Sequence, residues 1–79
     1  METINVDGNE VRGDWIARHT ADGSGVFRVP KSGLFTPKVG MDVEPAPGLL
    51  PLWVEKVEEK RDGFWDLWIT AAPRTGLVP

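Results

Sequence analysis

The chain has 79 residues, 41% of them hydrophobic, and a formal net charge of −3, which bounds it to one small domain and excludes a disordered tail, a polyanion mimic and a histone-like DNA binder. It contains no cysteine, so a disulfide scaffold, a zinc finger, an iron–sulfur site and a thiol nucleophile are excluded. No apolar run reaches membrane-spanning length and no signal-type segment opens the sequence, so the expectation is a cytoplasmic protein without a membrane partner.

A chain of this size buries only roughly 60% of its unfolded surface and must gather its large side chains into one core. Four Trp and three Phe are available. Each buried aromatic removes about 200 Å2 from water, so a few anchor the core and a tryptophan left over becomes a binding residue. Gly and Pro are spread evenly along the chain. Short segments divided by turn residues favour strands over a helical bundle.

In chain order, the clearest local signal lies in residues 10–30. Asp22-Gly23 stands between two strand-like segments, which predicts a three-residue loop, Ala21-Asp22-Gly23, with Gly23 in the left-handed region. Thr20 then faces Ser24. This register puts Val11, Trp15 and Ala17 on one face with Phe27 and Val29. Arg12, Asp14, Ile16, Arg18, Val26 and Arg28 take the other face. A two-residue loop would set Trp15 against Pro30 and Ala17 against Arg28, which segregates polarity less well.

Residues 31–37 read as a loop, with Leu34 and Phe35 plugging one end of the core. Residues 38–44 read as a short strand bent at Gly40. Residues 44–51 carry three prolines and predict an extended surface loop. The next segment fits two templates. Leu50, Trp53, Val54 and Val57 match helical spacing, but Glu55, Glu58 and Glu59 crowd one another on that helix and nothing caps its start. Asp62-Gly63 followed by Phe64-Trp65-Asp66-Leu67-Trp68-Ile69-Thr70 makes a second hairpin the preferred reading, with its last strand stopping at Pro73. Leu77-Val78-Pro79 reads like the start of a protease-cleavable expression tag and is set apart from the fold.

The expected fold is therefore all-β, a single domain over residues 1–76. Five strands, four of them in two hairpins, form a small barrel or a strongly twisted antiparallel sheet. An α+β fold with a helix at about 50–61 is the alternative. Closure is favoured because it removes sheet edges. The strand spacing resembles SH3-like small barrels. The stretch Lys38-Val39-Gly40-Met41-Asp42-Val43 resembles the glycine–aspartate turn of ribosomal SH3-like domains, with Met41 interrupting the pair. That likeness covers six residues.

No catalytic constellation emerges. His19 is the single histidine and Ser24 and Ser32 the only serines. All three lie at turns, without a mutually placed nucleophile, base and orienter. Arg12-Gly13-Asp14 falls inside a strand segment and reads as chance. The carboxylates Glu55, Glu58, Glu59, Asp62 and Asp66 crowd one hairpin, but so small a barrel has no room for a glycosidase-type cleft. The expectation is a non-enzymatic protein without metal or cofactor.

Charge placement says more. Residues 11–38 hold five cations against two carboxylates, and residues 39–68 hold three cations against seven carboxylates. A bipolar molecule is expected, with Arg12, Arg18 and Arg28 outward on the first hairpin. Two function classes follow. The favoured one is a small protein-binding module, a regulator, inhibitor or accessory subunit of a larger protein. It docks through Phe64, Trp68 and Asp66 with the acidic Glu55, Glu58 and Glu59. The alternative is a single-stranded nucleic-acid binder using Arg12, Arg18, Arg28 and Lys31, with Trp15 or Trp53 as stacking platforms. Negative net charge counts against it. The size and style are those of small phage and mobile-element proteins, and a homodimer is left open.

Overall fold

A computed structural model describes residues 2–19, 23–32, 35–44 and 52–72. It is all-β, with six strands: β1 (Glu2–Val6), β2 (Asn9–Arg18), β3 (Gly25–Pro30), β4 (Asp42–Glu44), β5 (Leu52–Lys60) and β6 (Phe64–Thr70). They close an antiparallel barrel in the order β1-β2-β3-β6-β5-β4. Two three-stranded meanders therefore meet twice. They meet through the long β3–β6 pairing and again where β1 pairs with β4 at Asn5–Glu44 and Val6–Val43. Residues 77–79 and most of the proline-rich 44–51 segment lie outside the described residues.

The strand count is six rather than five because residues 2–9 form a hairpin arm of their own. Val6 pairs with Asn9 across Asp7-Gly8, and both turn residues have positive φ, 52° and 87°. That is the geometry of the two-residue turn whose twist matches the flanking strands, and Asp-Gly is a preferred sequence for it. The strand expected over 38–44 is only Asp42–Glu44, because Val39 and Gly40 form a turn.

The helix alternative is overturned: residues 52–60 are strand β5. Its pairing with β6 shifts register between Val54 and Lys56, leaving Glu55 as an extra bulged residue. Leu52 and Val54 point inward and are buried. After the bulge the inward position moves to Val57, which packs against the core. The three-residue step from Val54 to Val57 imitates helical spacing, although the backbone is extended.

The first hairpin also departs from the expected register. Trp15 faces Phe27, but Ala17 faces Val26, so Ile16 is the extra residue of a second bulge. Near the turn, the His19 N–H donates to Ser24 O at 2.7 Å and the Gly23 N–H to His19 O at 2.9 Å. His19 is thus the residue opposite Ser24, and Thr20, Ala21 and Asp22 of the expected turn lie outside the described residues. Val11, Trp15, Phe27 and Val29 share a face as expected. Ala17 does not, because the bulge turns it outward beside Val26 and carries Arg18 to the side of Trp15.

Among the described residues the core consists of Ile4, Val6, Val11, Phe27, Val29, Val43, Leu52, Val54, Leu67 and Ile69, with Trp15, Phe35, Met41, Val57 and Trp65 packed around it. Trp15 meets Phe27 edge-on at 5.0 Å, a favoured aromatic geometry. Arg18 lies 4.9 Å over the Trp15 ring and 3.7 Å from Glu2. Lys31 lies 5.0 Å over Trp65 and bonds to Glu59. Both tryptophans are thereby capped by a cation.

Candidate functional site

Strand alternation assigns the outer surface of β3, β6 and β5. One transverse row holds Asp14, Arg28, Asp66 and Glu58, which are register partners across four strands. Arg28 donates to Asp66 from Nε at 2.8 Å and from Nη2 at 3.1 Å. Lys60 Nζ lies 3.9 Å from the second Asp66 oxygen and is hydrogen-bonded to Glu58, which Lys56 approaches at 3.5 Å. Asp66 is only 6% exposed although it faces outward, because these cations cover it. The hydrogen bond from Lys60, with its charge, holds Glu58 below its ordinary value of 4.5. The reciprocal bond holds Lys60 above 10.5, as expected when the charged forms are the bonded forms.

The next row holds Ala17, Val26, Trp68 and Lys56. Both bulges border it, Ile16 on one side of the β3–β6 pair and Glu55 on the other. Between them runs a shallow groove of about 250 Å3, lined by Ala17, Val26 and Trp68 and by the polar His19, Glu55 and Thr70. Gly25 makes this geometry compatible with the bulge: a Cβ there would stand 2.1 Å from the Ala17 carbonyl oxygen. Ile16 is 52% and Trp68 38% exposed at this level of the barrel. Lys56 Nζ sits 5.2 Å over the Trp68 ring.

The residues singled out from the sequence thus separate into three places. Trp68 and Glu55 share the groove. Phe64, Asp66 and Glu58 lie along the same outer face; Phe64 is half-buried beneath Arg28 at 5.9 Å, and Asp66 and Glu58 are bound up in ion pairs. Glu59 sits apart with Lys31 and Trp65.

The basic hairpin pairs directly with the acidic one, so Arg28 is held by Asp66 and Lys31 by Glu59. Of the other two cations proposed for nucleic acid, Arg18 is drawn to Glu2 and Trp15, and Arg12 is exposed on β2 opposite Thr3. Trp15 is half-buried, and its Nε1 is buried without an acceptor among the described residues. Trp53 is half-buried and donates from Nε1 to the Ala72 carbonyl at 2.6 Å.

Sequence reading missed Ala17, His19 and Thr70 as groove residues and gave no role to Ile16 or Val26. The available signal was two apolar residues, Ile16 and Val26, on a face otherwise assigned to charges. Among the described residues no group of three or more His, Asp or Glu could hold a metal ion, and no helix is long and apolar enough to cross a membrane. No family model, curated protein or solved structure matches the chain.

Proposed function

We propose that the protein is a small non-enzymatic protein-binding module whose docking surface is the bulge-flanked groove centred on Trp68. The observation that supports this reading most strongly is the convergence of two β-bulges on one groove with a tryptophan exposed in it. Bulges re-aim side chains and concentrate near functional surfaces. A tryptophan that the core does not use is the residue type that most often dominates binding energy at interfaces. Ile16, Ala17 and Val26 extend the apolar contact around it, and the ion-paired row along Arg28 and Asp66 supplies a polar rim.

In this reading the protein acts in the cytoplasm as a regulator, inhibitor or accessory subunit of a larger partner, in the manner of small phage or mobile-element proteins. Single-stranded nucleic acid is the less favoured ligand, since three of its four candidate cations already have carboxylate partners.

The test is a peptide-display selection on the immobilised barrel, repeated on Trp68→Ala. Peptides retained by the unaltered protein are expected to bind the variant roughly thirtyfold more weakly, the loss of about 2 kcal/mol typical of a hot-spot residue. Retention that is indifferent to Trp68→Ala, or no retained peptide at all, contradicts the reading. A fluorescence titration with mixed single-stranded oligonucleotides at low salt is expected to show no quenching.

A further inference from the structure

Resting on that reading, we infer that the groove accepts an arginine side chain of the partner, with Glu55 taking the guanidinium and Trp68 stacking on it. Glu55 is the inserted residue of the β5 bulge, and it lines the groove. The other carboxylates on the β5–β6 part of this outer face are neutralised: Asp66 by Arg28, and Glu58 by Lys56 and Lys60. Glu55 is exposed and has no cation partner among the described residues. A carboxylate left uncompensated beside an exposed indole is the complement of a planar cation. The guanidinium offers two parallel donors to a carboxylate and a flat face to an aromatic ring.

The Trp68 ring already takes a cation, since Lys56 Nζ lies 5.2 Å over it. Lys56 is outside the groove lining and lies 3.5 Å from Glu58, whereas Trp68 itself lines the groove and is 38% exposed. Ala17 and Val26 match the methylene stem of the arginine, which buries along apolar surface while its head stays polar. The volume of about 250 Å3 suits one long side chain and is below the usual range for small-molecule sites. Lysine fits less well, because a point charge gains nothing from the two parallel carboxylate oxygens.

The probes are N-acetyl-arginine methylamide and its uncharged isostere N-acetyl-citrulline methylamide, added at millimolar concentration to the 15N-labelled full chain. Arginine is expected to shift the Glu55 amide and the Trp68 indole N–H, and citrulline to shift neither. Glu55→Gln is expected to weaken the arginine response roughly tenfold, the scale of a lost charge-assisted bond. No arginine response, an equal response to citrulline, or an unchanged response in Glu55→Gln overturns the inference. If displayed peptides are retained in a Trp68-dependent way without any basic residue, the docking reading stands and the arginine assignment falls. If arginine binds while no peptide shows Trp68 dependence, the docking reading itself is the part that fails.

Discussion

Arg28 and Asp66 meet across the β3–β6 pairing through two parallel hydrogen bonds of 2.8 and 3.1 Å, and so tie the first three-stranded meander to the second. The carboxylate is nearly buried on a surface that strand alternation makes outward. Arg28→Met leaves the stem in place and removes the donors. The buried Asp66 then lacks its best partner, at a cost of about 1–3 kcal/mol for an unsatisfied group. Adding Asp66→Leu is expected to recover part of this loss, because a pair replaced by apolar side chains is cheaper than a pair half removed. Urea unfolding of the single and double variants measures both effects.

The neighbouring Glu58–Lys60 contact makes stability depend on pH at both extremes. Glu58 is held below 4.5 by Lys60, so its contribution is fully present above pH 4.5 and is lost as pH falls through its lowered folded value. Lys60 is held above 10.5 by Glu58, so its contribution is fully present below pH 10.5 and is lost as pH rises through its raised folded value. The urea midpoint is expected to be level between these limits and to fall outside them. Glu58→Gln is expected to shrink both limbs.

Leu67 and Trp68 are adjacent on β6 but face opposite ways. Leu67 is fully buried and Trp68 is 38% exposed. Leu67→Ala is expected to cost about 2–5 kcal/mol through lost burial and the cavity left behind. Trp68→Ala is expected to cost less than half of that in the same denaturation series. An unfolded Trp68→Ala variant would mean that the ring belongs to the core, and would remove it as a docking anchor.

At the first turn, Gly8 has φ of 87° with open space where a Cβ would lie. Gly8→Ala is therefore strained by backbone conformation alone, and about 1–2 kcal/mol of stability is expected to be lost. Asp7 has φ of 52°, and Asp7→Asn is expected to be neutral or slightly stabilising, since asparagine tolerates this region. Thermal melting of both variants checks the pair.

Much of the fold was legible because Asp-Gly pairs and apolar alternation are local signals. Asp62-Gly63 and the strand after it needed nothing distant. What escaped reading was parity. A bulge adds one residue and reverses which side chains face inward, so Ala17 and Arg18 exchanged places and Val57 imitated a helix position. Asp7-Gly8 carried the same turn signal as Asp62-Gly63, but its strand is completed by β4, more than thirty residues away. The groove was only half legible. Trp68 and Glu55 could be named as candidates, but their meeting with Val26 and Ala17 depends on the pairing of β3 with β6, a contact between hairpins that neither hairpin encodes alone. The ion pairs were illegible for the same reason: Arg28 and Asp66, and Lys31 and Glu59, are far apart in the chain and become partners only in the barrel.

Docking at Trp68 is tested by a 15N heteronuclear titration of the full chain with a display-selected peptide, following its four indole N–H signals. The Trp68 signal is expected to move together with the amides of Glu55 and Val26, while Trp15 and Trp65 stay in place beneath Arg18 and Lys31. Movement of Trp15 or Trp65 with an undisturbed Trp68 would place the docking surface elsewhere on the barrel and contradict docking at Trp68.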